Sequence, residues 1–224
     1  FGDYAKMVLK ESNYPVERLI TFGNSFLFNL ENIQKKLESE NLFKKYGINN
    51  NKKIILFTTG RMQRKYQPIQ GNYDYDEQIW KYLLDNFGGS EDYFLILKPH
   101  PTEFDTEIYQ QILKKSSFNN AKIIQDDFFE LISISSILVS VFSTTMLDAL
   151  CFQKNSIQVI FDNVKWPILK DKSDVILISE LHDLSKNIIN IFEDKNLRNI
   201  LSKNRINFIK NHYNLPKNNP MTVI

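Results

Sequence analysis

Short, unbroken apolar runs recur along most of this chain, each followed by a stretch of helical length, and no other feature constrains its fold as much. "KIILFTTG" (Lys53–Gly60) precedes "DYDEQIWKYLLDNFGG", "YFLILK" precedes "EFDTEIYQQILKKS", "AKIIQ" precedes "DFFELISIS", and "ILVSVF" precedes "STTMLDALCF". "IQVIF" and "DVILIS" then lead into the long helical stretch "ELHDLSKNIINIFEDKNLRNILSKNRINFIKNHY". The runs are rich in Ile, Val and Phe and do not alternate with polar residues, as parallel strands covered on both faces require. Strand and helix therefore alternate, which predicts an α/β fold with a doubly wound, Rossmann-like parallel sheet.

The first fifty residues follow another pattern. "ERLITFGN" reads as one strand ending at Gly23 and Asn24, and "LENIQKKLESENLFKKYGI" as a single amphipathic helix. One strand cannot form a sheet by itself. Residues 1–48 are accordingly expected to be the end of an N-terminal domain with its linker helix, and 49–224 the Rossmann-like domain with C-terminal helices. The chain opens on Phe1 and passes at once into the helix-like "DYAKMVLKES", which suggests a fragment of something longer.

Composition narrows the function. Of the 224 residues, 42% are hydrophobic and 24% charged, the balance of a folded, water-soluble domain rather than a disordered or membrane-spanning chain. Lys and Arg number 28 against 26 Asp and Glu, so no global positive field favours nucleic acid, and any anion has to be bound locally. The apolar runs are strand-sized and nothing resembles a signal peptide, which makes the cytoplasm the expected location. Cys151 is the only cysteine, so neither an intrachain disulfide nor a thiolate metal cluster is expected.

In open parallel sheets, ligands bind beyond the carboxyl ends of the strands, near the point where strand order reverses. The residues to inspect there are Thr58, Thr59, Gly60 and Arg61; Lys98 and His100; Gln125, Asp126 and Asp127; and Ser143, Thr144 and Thr145. "VFSTTMLDAL" takes a strand directly into a helix with Ser143 as the expected N-cap, so that Thr144 and Thr145 offer hydroxyls and N–H groups to phosphate. Asp148, just over one turn on, could accept from a ribose diol. Plain helix capping with a solvated Asp explains this segment equally well. Gly60 permits close backbone approach and precedes Arg61, Arg64 and Lys65, although a solvated basic loop explains these cations too.

"FLILKPHPTEF" ends a strand on two prolines that stiffen the peptide carrying His100. Lys98 and His100 could together neutralise a diphosphate, or His100 could move a proton near neutral pH. The alternative is a rigid turn with a partly buried His. His182 and His212 fall on or beside polar helical stretches and read as surface residues; Trp166 and Pro167 follow a strand and read as packing, with a loop that stacks on a base as the alternative. The sequence contains no GxxxxGK[ST], GxGxxG or GxSxG. His100, Glu103 and Asp105 are close in sequence, but Pro101 interrupts the helix that would align them as metal ligands, so no metal site is expected.

"LILKPHP" followed by "ILVSVFSTTMLDAL" resembles the nucleotide-binding, C-terminal half of GT-B glycosyltransferases. The nearest likeness is to the bacterial group of CDP-glycerol glycerophosphotransferases and capsule-type polysaccharide transferases, and "YPVERLITFGNSFLF" resembles the stretch that closes their N-terminal domain. The resemblance implies a transferase moving a sugar or polyol phosphate from a nucleotide diphosphate donor to a surface polysaccharide, with no cofactor and no metal. His100 would be the catalytic candidate; Gly60, Arg61, Lys98, Gln125, Ser143, Thr144, Thr145 and Asp148 would hold the nucleotide and its phosphates, Gln125 on the base side and Asp148 at the ribose.

Implied partners are a nucleotide-activated donor, a glycan or lipid-linked acceptor and an N-terminal domain beyond these residues, through which the protein would associate with the inner face of the membrane. Asp148 stands where the group usually has Glu, and "CFQKNSIQVI" where it usually has "GKPVI". A nucleotide-sugar epimerase or hydrolase of the same fold, or a non-catalytic nucleotide-binding domain, are the alternatives.

Overall fold

The computed structural model describes residues 10, 15, 30–60, 75–103, 105–141, 143–161 and 175–212. They fall into two compact units, one holding residues 30–40 and 202–212, the other 41–201. The expected strand "ERLITFGN", the Arg61–Lys65 cations and Trp166–Pro167 lie outside the described residues.

In the smaller unit, α1 (Leu30–Ser39) is amphipathic, as its sequence indicated. It does not continue into the next segment. Asn41 begins a separate helix, α2 (Leu42–Tyr46), by accepting the Lys44 N–H at 3.0 Å, and Gly47 ends it at φ 61° with its N–H turned back to the carbonyls of Phe43 and Lys44. The single helix expected over this stretch is thus two, because a capping Asn and a left-handed Gly bound a short turn of helix.

The larger unit carries the sheet. Its strands are β1 (Lys53–Thr58), β2 (Tyr93–Lys98), β3 (Ala121–Ile123), β4 (Ile137–Ser140), β5 (Asn155–Ile160) and β6 (Leu177–Glu180). All pair in parallel, in the order β3-β2-β1-β4-β5-β6. This is the doubly wound arrangement: the chain builds outward from β1 through β2 to β3, then returns to build β4, β5 and β6 on the other side. The strand order reverses between β1 and β4.

Helices α3 (Tyr75–Phe87), α4 (Glu107–Ser116), α5 (Phe128–Ile134) and α6 (Thr145–Cys151) are the crossovers, followed by α7 (Leu184–Glu193) and α8 (Lys195–His212). Side chains from β1, β2, β4 and β5, among them Phe57, Leu95, Leu97, Val139 and Ile157, pack with Ile79, Trp80 and Leu83 of α3 and with Leu184 and Ile188 of α7 in a fully buried core. That burial explains why the strands carry no polar alternation. β4 is shorter than its apolar run suggested. It stops at Ser140, and the carbonyl of buried Val141 accepts from Nε2 of Gln158 at 3.0 Å instead of from a ladder partner.

Candidate functional site

The carboxyl ends of β1, β2 and β4 lie in register, with Thr58 paired to Lys98 on one side and to Ser140 on the other. Register partners in a parallel sheet face the same side, so one row of polar residues crosses the sheet next to the point of strand reversal. Ser140 Oγ donates to the Thr58 carbonyl at 2.9 Å. Thr58 Oγ1 lies 3.4 Å from Thr145 Oγ1, which donates to Ser143 Oγ at 2.7 Å. Ser143 Oγ also accepts the Thr145 N–H at 3.2 Å, and helical dihedrals begin at Thr144, so the capping oxygen is that of Ser143, as its position indicated. The consequence for ligand binding differs from the expectation. The N–H groups of Thr145 and Met146 are both turned onto Ser143, so this seven-residue helix offers hydroxyls more than backbone donors.

Beside this hydroxyl chain, over β2 and β3, an open cavity of about 310 Å³ is lined by Lys98, Pro99, His100, Pro101, Glu103 and Gln125. Lys98 is only 8% exposed, yet among the described residues no acceptor or carboxylate lies within bonding distance of its Nζ. Burial pulls its pKa below the ordinary 10.5, opposed by the negative charges of Asp127 and Asp126 at longer range. A buried ammonium without a close counter-charge is costly, and a ligand anion would relieve the cost.

Glu103 organises the turn around His100. It is 5% exposed and accepts from Thr59 Oγ1 at 2.6 Å, from the Tyr109 hydroxyl at 2.8 Å and, at 3.4 Å, from the His100 N–H, whose main acceptor is Thr59 Oγ1 at 2.8 Å. Burial, with Asp76 and Glu103 nearby, raises the Tyr109 pKa strongly and keeps the phenol a donor. The Glu103 N–H closes the turn on the His100 carbonyl at 2.8 Å. On the exposed side, His100 Nδ1 meets Thr102 twice, at 2.8 Å from Oγ1 and 3.3 Å from the backbone N–H.

Lys98, His100 and Gln125 therefore share one cavity, and Ser143 and Thr145 share a hydroxyl chain with Thr58 over the adjacent strands. Thr144 is exposed at the start of α6, and Asp148 sits half-buried one turn along it. Gly60 turns its N–H onto both carboxylate oxygens of buried Asp76, at 3.2 and 3.3 Å, so this donor is already engaged within the fold. Arg61 lies outside the described residues. Asp127 serves as the N-cap of α5, accepting from Phe129 and Glu130, and His182 is on the surface between Glu180 and Asp183. No group of metal ligands occurs among the described residues. Sequence reasoning missed the roles of Glu103, Thr59, Tyr109 and Asp76. The only available hint was an acid three residues beyond His100 and another in the first turn after Gly60.

The sequence model of the family described as CDP-Glycerol:Poly(glycerophosphate) glycerophosphotransferase matches residues 24–166, more than half of the 224. The chain belongs to this family. The glycerophosphotransferase match runs through the Gly60, Lys98–His100, Gln125 and Ser143–Asp148 segments, so every site residue falls inside it. No curated protein matches the chain in sequence.

Three solved structures show the fold. UDP-GlcNAc 2-epimerase from Neisseria meningitidis, bound to UDP-GlcNAc, is 20% identical with a TM-score of 0.69, over 99% of this chain and 58% of that one. A variant of the wall teichoic acid polymerase TagF soaked with CDPG is 17% identical with a TM-score of 0.66, over 99% of this chain and 55% of that one. The C-terminal domain of the group 1 glycosyl transferase LpcC from Francisella tularensis is 12% identical with a TM-score of 0.54, over 75% of this chain and 89% of that one. The fold is that of the C-terminal domain of GT-B proteins, and the chain spans little more than half the length of the epimerase and polymerase it matches.

Proposed function

We propose that these residues bind the nucleotide diphosphate of an activated donor, and that they serve a transferase moving a sugar or polyol phosphate onto a surface polysaccharide. Lys98 carries the reading. It is a buried cation with no close counter-charge among the described residues, it lines a cavity with His100, and it lies in a chain that belongs to the CDP-glycerol glycerophosphotransferase family. Lys98 and His100 would meet the diphosphate, the hydroxyls of Ser143, Thr144 and Thr145 would flank it, and Asp148 and Gln125 would take ribose and base. Cationic and hydroxyl donors aimed at the departing diphosphate stabilise the charge that develops there, without a change in their own positions. The acceptor, a glycan or lipid-linked polymer, would be supplied outside residues 1–224. Such a reaction belongs in the cytoplasm and at its membrane face, where we place the protein.

Calorimetry with CDP, CMP, UDP and GDP tests this directly. We expect CDP to bind, CMP to bind more weakly because it lacks the second phosphate, and Lys98→Met to abolish the difference. Equal affinity for CMP and CDP, or binding untouched by Lys98→Met, would sink the assignment.

A further inference from the structure

His100 can meet a ligand in two ways, as a proton acceptor or as a hydrogen-bond donor, and the choice depends on which ring nitrogen carries the proton. The turn that holds it decides. A backbone N–H can only donate, so the Thr102 N–H at 3.3 Å requires a lone pair on Nδ1. The Thr102 hydroxyl, 2.8 Å from the same nitrogen, then donates to it as well. Both ends of the segment are fixed: the His100 N–H is bound by Thr59 Oγ1 at 2.8 Å, and the His100 carbonyl by the Glu103 N–H at 2.8 Å. Pro101 between them restricts the backbone further, which keeps the Thr102 N–H aimed back at the ring.

We propose that Thr102 is a positioning residue that holds neutral His100 in its Nε2–H tautomer, so that His100 meets its ligand as a donor to an anionic oxygen and not as a base. The tautomer follows from the turn alone. Only the identity of the ligand, a nucleotide diphosphate, rests on the function proposed above. With Nδ1 engaged and Nε2 protonated, the neutral ring has no lone pair to present to an acceptor hydroxyl, so a base for that hydroxyl must be another group. At the diphosphate the same tautomer is productive. Nε2–H donates to a phosphate oxygen, beside the ammonium of Lys98, and no proton needs to change hands.

The chain has three histidines, so long-range ¹H–¹⁵N spectra of the uniformly labelled protein at a pH where the rings are neutral resolve each imidazole, with His100→Gln assigning the one of interest. We expect an unprotonated Nδ1 and a protonated Nε2 at His100. A protonated Nδ1 overturns the proposal. Thr102→Val keeps the N–H and removes the hydroxyl, and should shift the Nδ1 resonance in the direction of weaker hydrogen bonding, while leaving the His182 and His212 signals in place. It should also weaken CDP binding by about three- to tenfold, the loss of one hydrogen bond felt through the ring. An unchanged Nδ1 resonance in Thr102→Val overturns the role of Thr102. If CDP fails to bind while His100 is found as Nε2–H, the donor-binding reading falls and the tautomer assignment stands. If CDP binds while Nδ1 carries the proton, the reverse holds.

Discussion

Lys98 sits where stability and binding oppose each other. Its charge is disfavoured by burial in the folded chain and not in the unfolded one, so the folded pKa lies below the ordinary 10.5 of the unfolded state. Between those two values the unfolded chain holds a proton that the folded chain does not, and stability therefore rises with pH in that window. Lys98→Met should remove that rise and stabilise the protein by about 1 kcal/mol at neutral pH, because an apolar side chain of similar length replaces a buried cation. CDP affinity should fall by about ten- to a hundredfold in the same variant. In the wild type, CDP binding should weaken as pH rises through the lowered Lys98 pKa, since only the ammonium attracts phosphate. Urea denaturation and calorimetry across pH check both signs.

Glu103 behaves in the opposite way, because its removal leaves Thr59, Tyr109 and the His100 N–H short of an acceptor inside the fold. Glu103→Ala should cost about 3 kcal/mol, whereas Glu103→Gln, which can still accept from Thr59 and donate to Tyr109, should cost under about 1 kcal/mol. Equal losses in denaturation midpoints would show that the charge, and not the hydrogen-bonding pattern, holds the turn.

The elements were legible to different degrees, for identifiable reasons. Strands buried on both faces produce unbroken apolar runs, and β1 and β2 were read to within a residue or two because nothing else five or six residues long looks like "KIILFT" or "YFLILK". The break between α1 and α2 was not read, since the amphipathic period continues across it while Asn41 and Gly47 impose the ends through one side-chain oxygen and one positive φ. Those two residues make the ends of α2 testable. Gly47→Ala should cost about 1 kcal/mol from the left-handed backbone alone, and the added Cβ would meet Lys122 Nζ at 3.2 Å. Asn41→Ala should cost about the same through the lost cap. Thermal melts of the two variants against wild type measure this, and a neutral Gly47→Ala would mean that the turn relaxes to another conformation. The site shows the same division. Lys98, His100 and Ser143 were legible because prolines and a strand-to-helix junction mark strand ends, but the acids beneath them were not, since nothing in a sequence distinguishes a buried Glu103 from a solvated one.

At the scale of the whole chain, one sheet end gathers residues from positions as far apart as Thr58 and Thr145, so binding requires the larger unit to be folded throughout. Cys151 reports that condition independently of any ligand: it is buried at the end of α6, and burial, with Asp148 adding to it, pushes its thiol pKa up to about 12. The thiolate is the reactive form. Labelling by a thiol reagent at neutral pH should therefore proceed only through opening, and CDP should lower its rate in proportion to the fraction of protein it leaves unliganded. A labelling rate that CDP leaves unchanged would show that the nucleotide does not stabilise the unit carrying α6.

Binding and turnover are separable by the same logic. Every group proposed for the donor lies within these 224 residues, whereas the epimerase and the polymerase of the same fold are each nearly twice as long. Held diphosphate with no positioned acceptor forgoes the rate gain that comes from bringing two reactants together, which is worth about 7–11 kcal/mol of barrier. These residues alone should thus bind CDP measurably and show neither transfer from CDP-glycerol to a teichoic acid primer nor conversion of UDP-GlcNAc to its epimer. Transfer at a rate approaching ordinary enzyme turnover would place the acceptor site within this chain; epimer formation without acceptor would replace the transferase reading with the epimerase one.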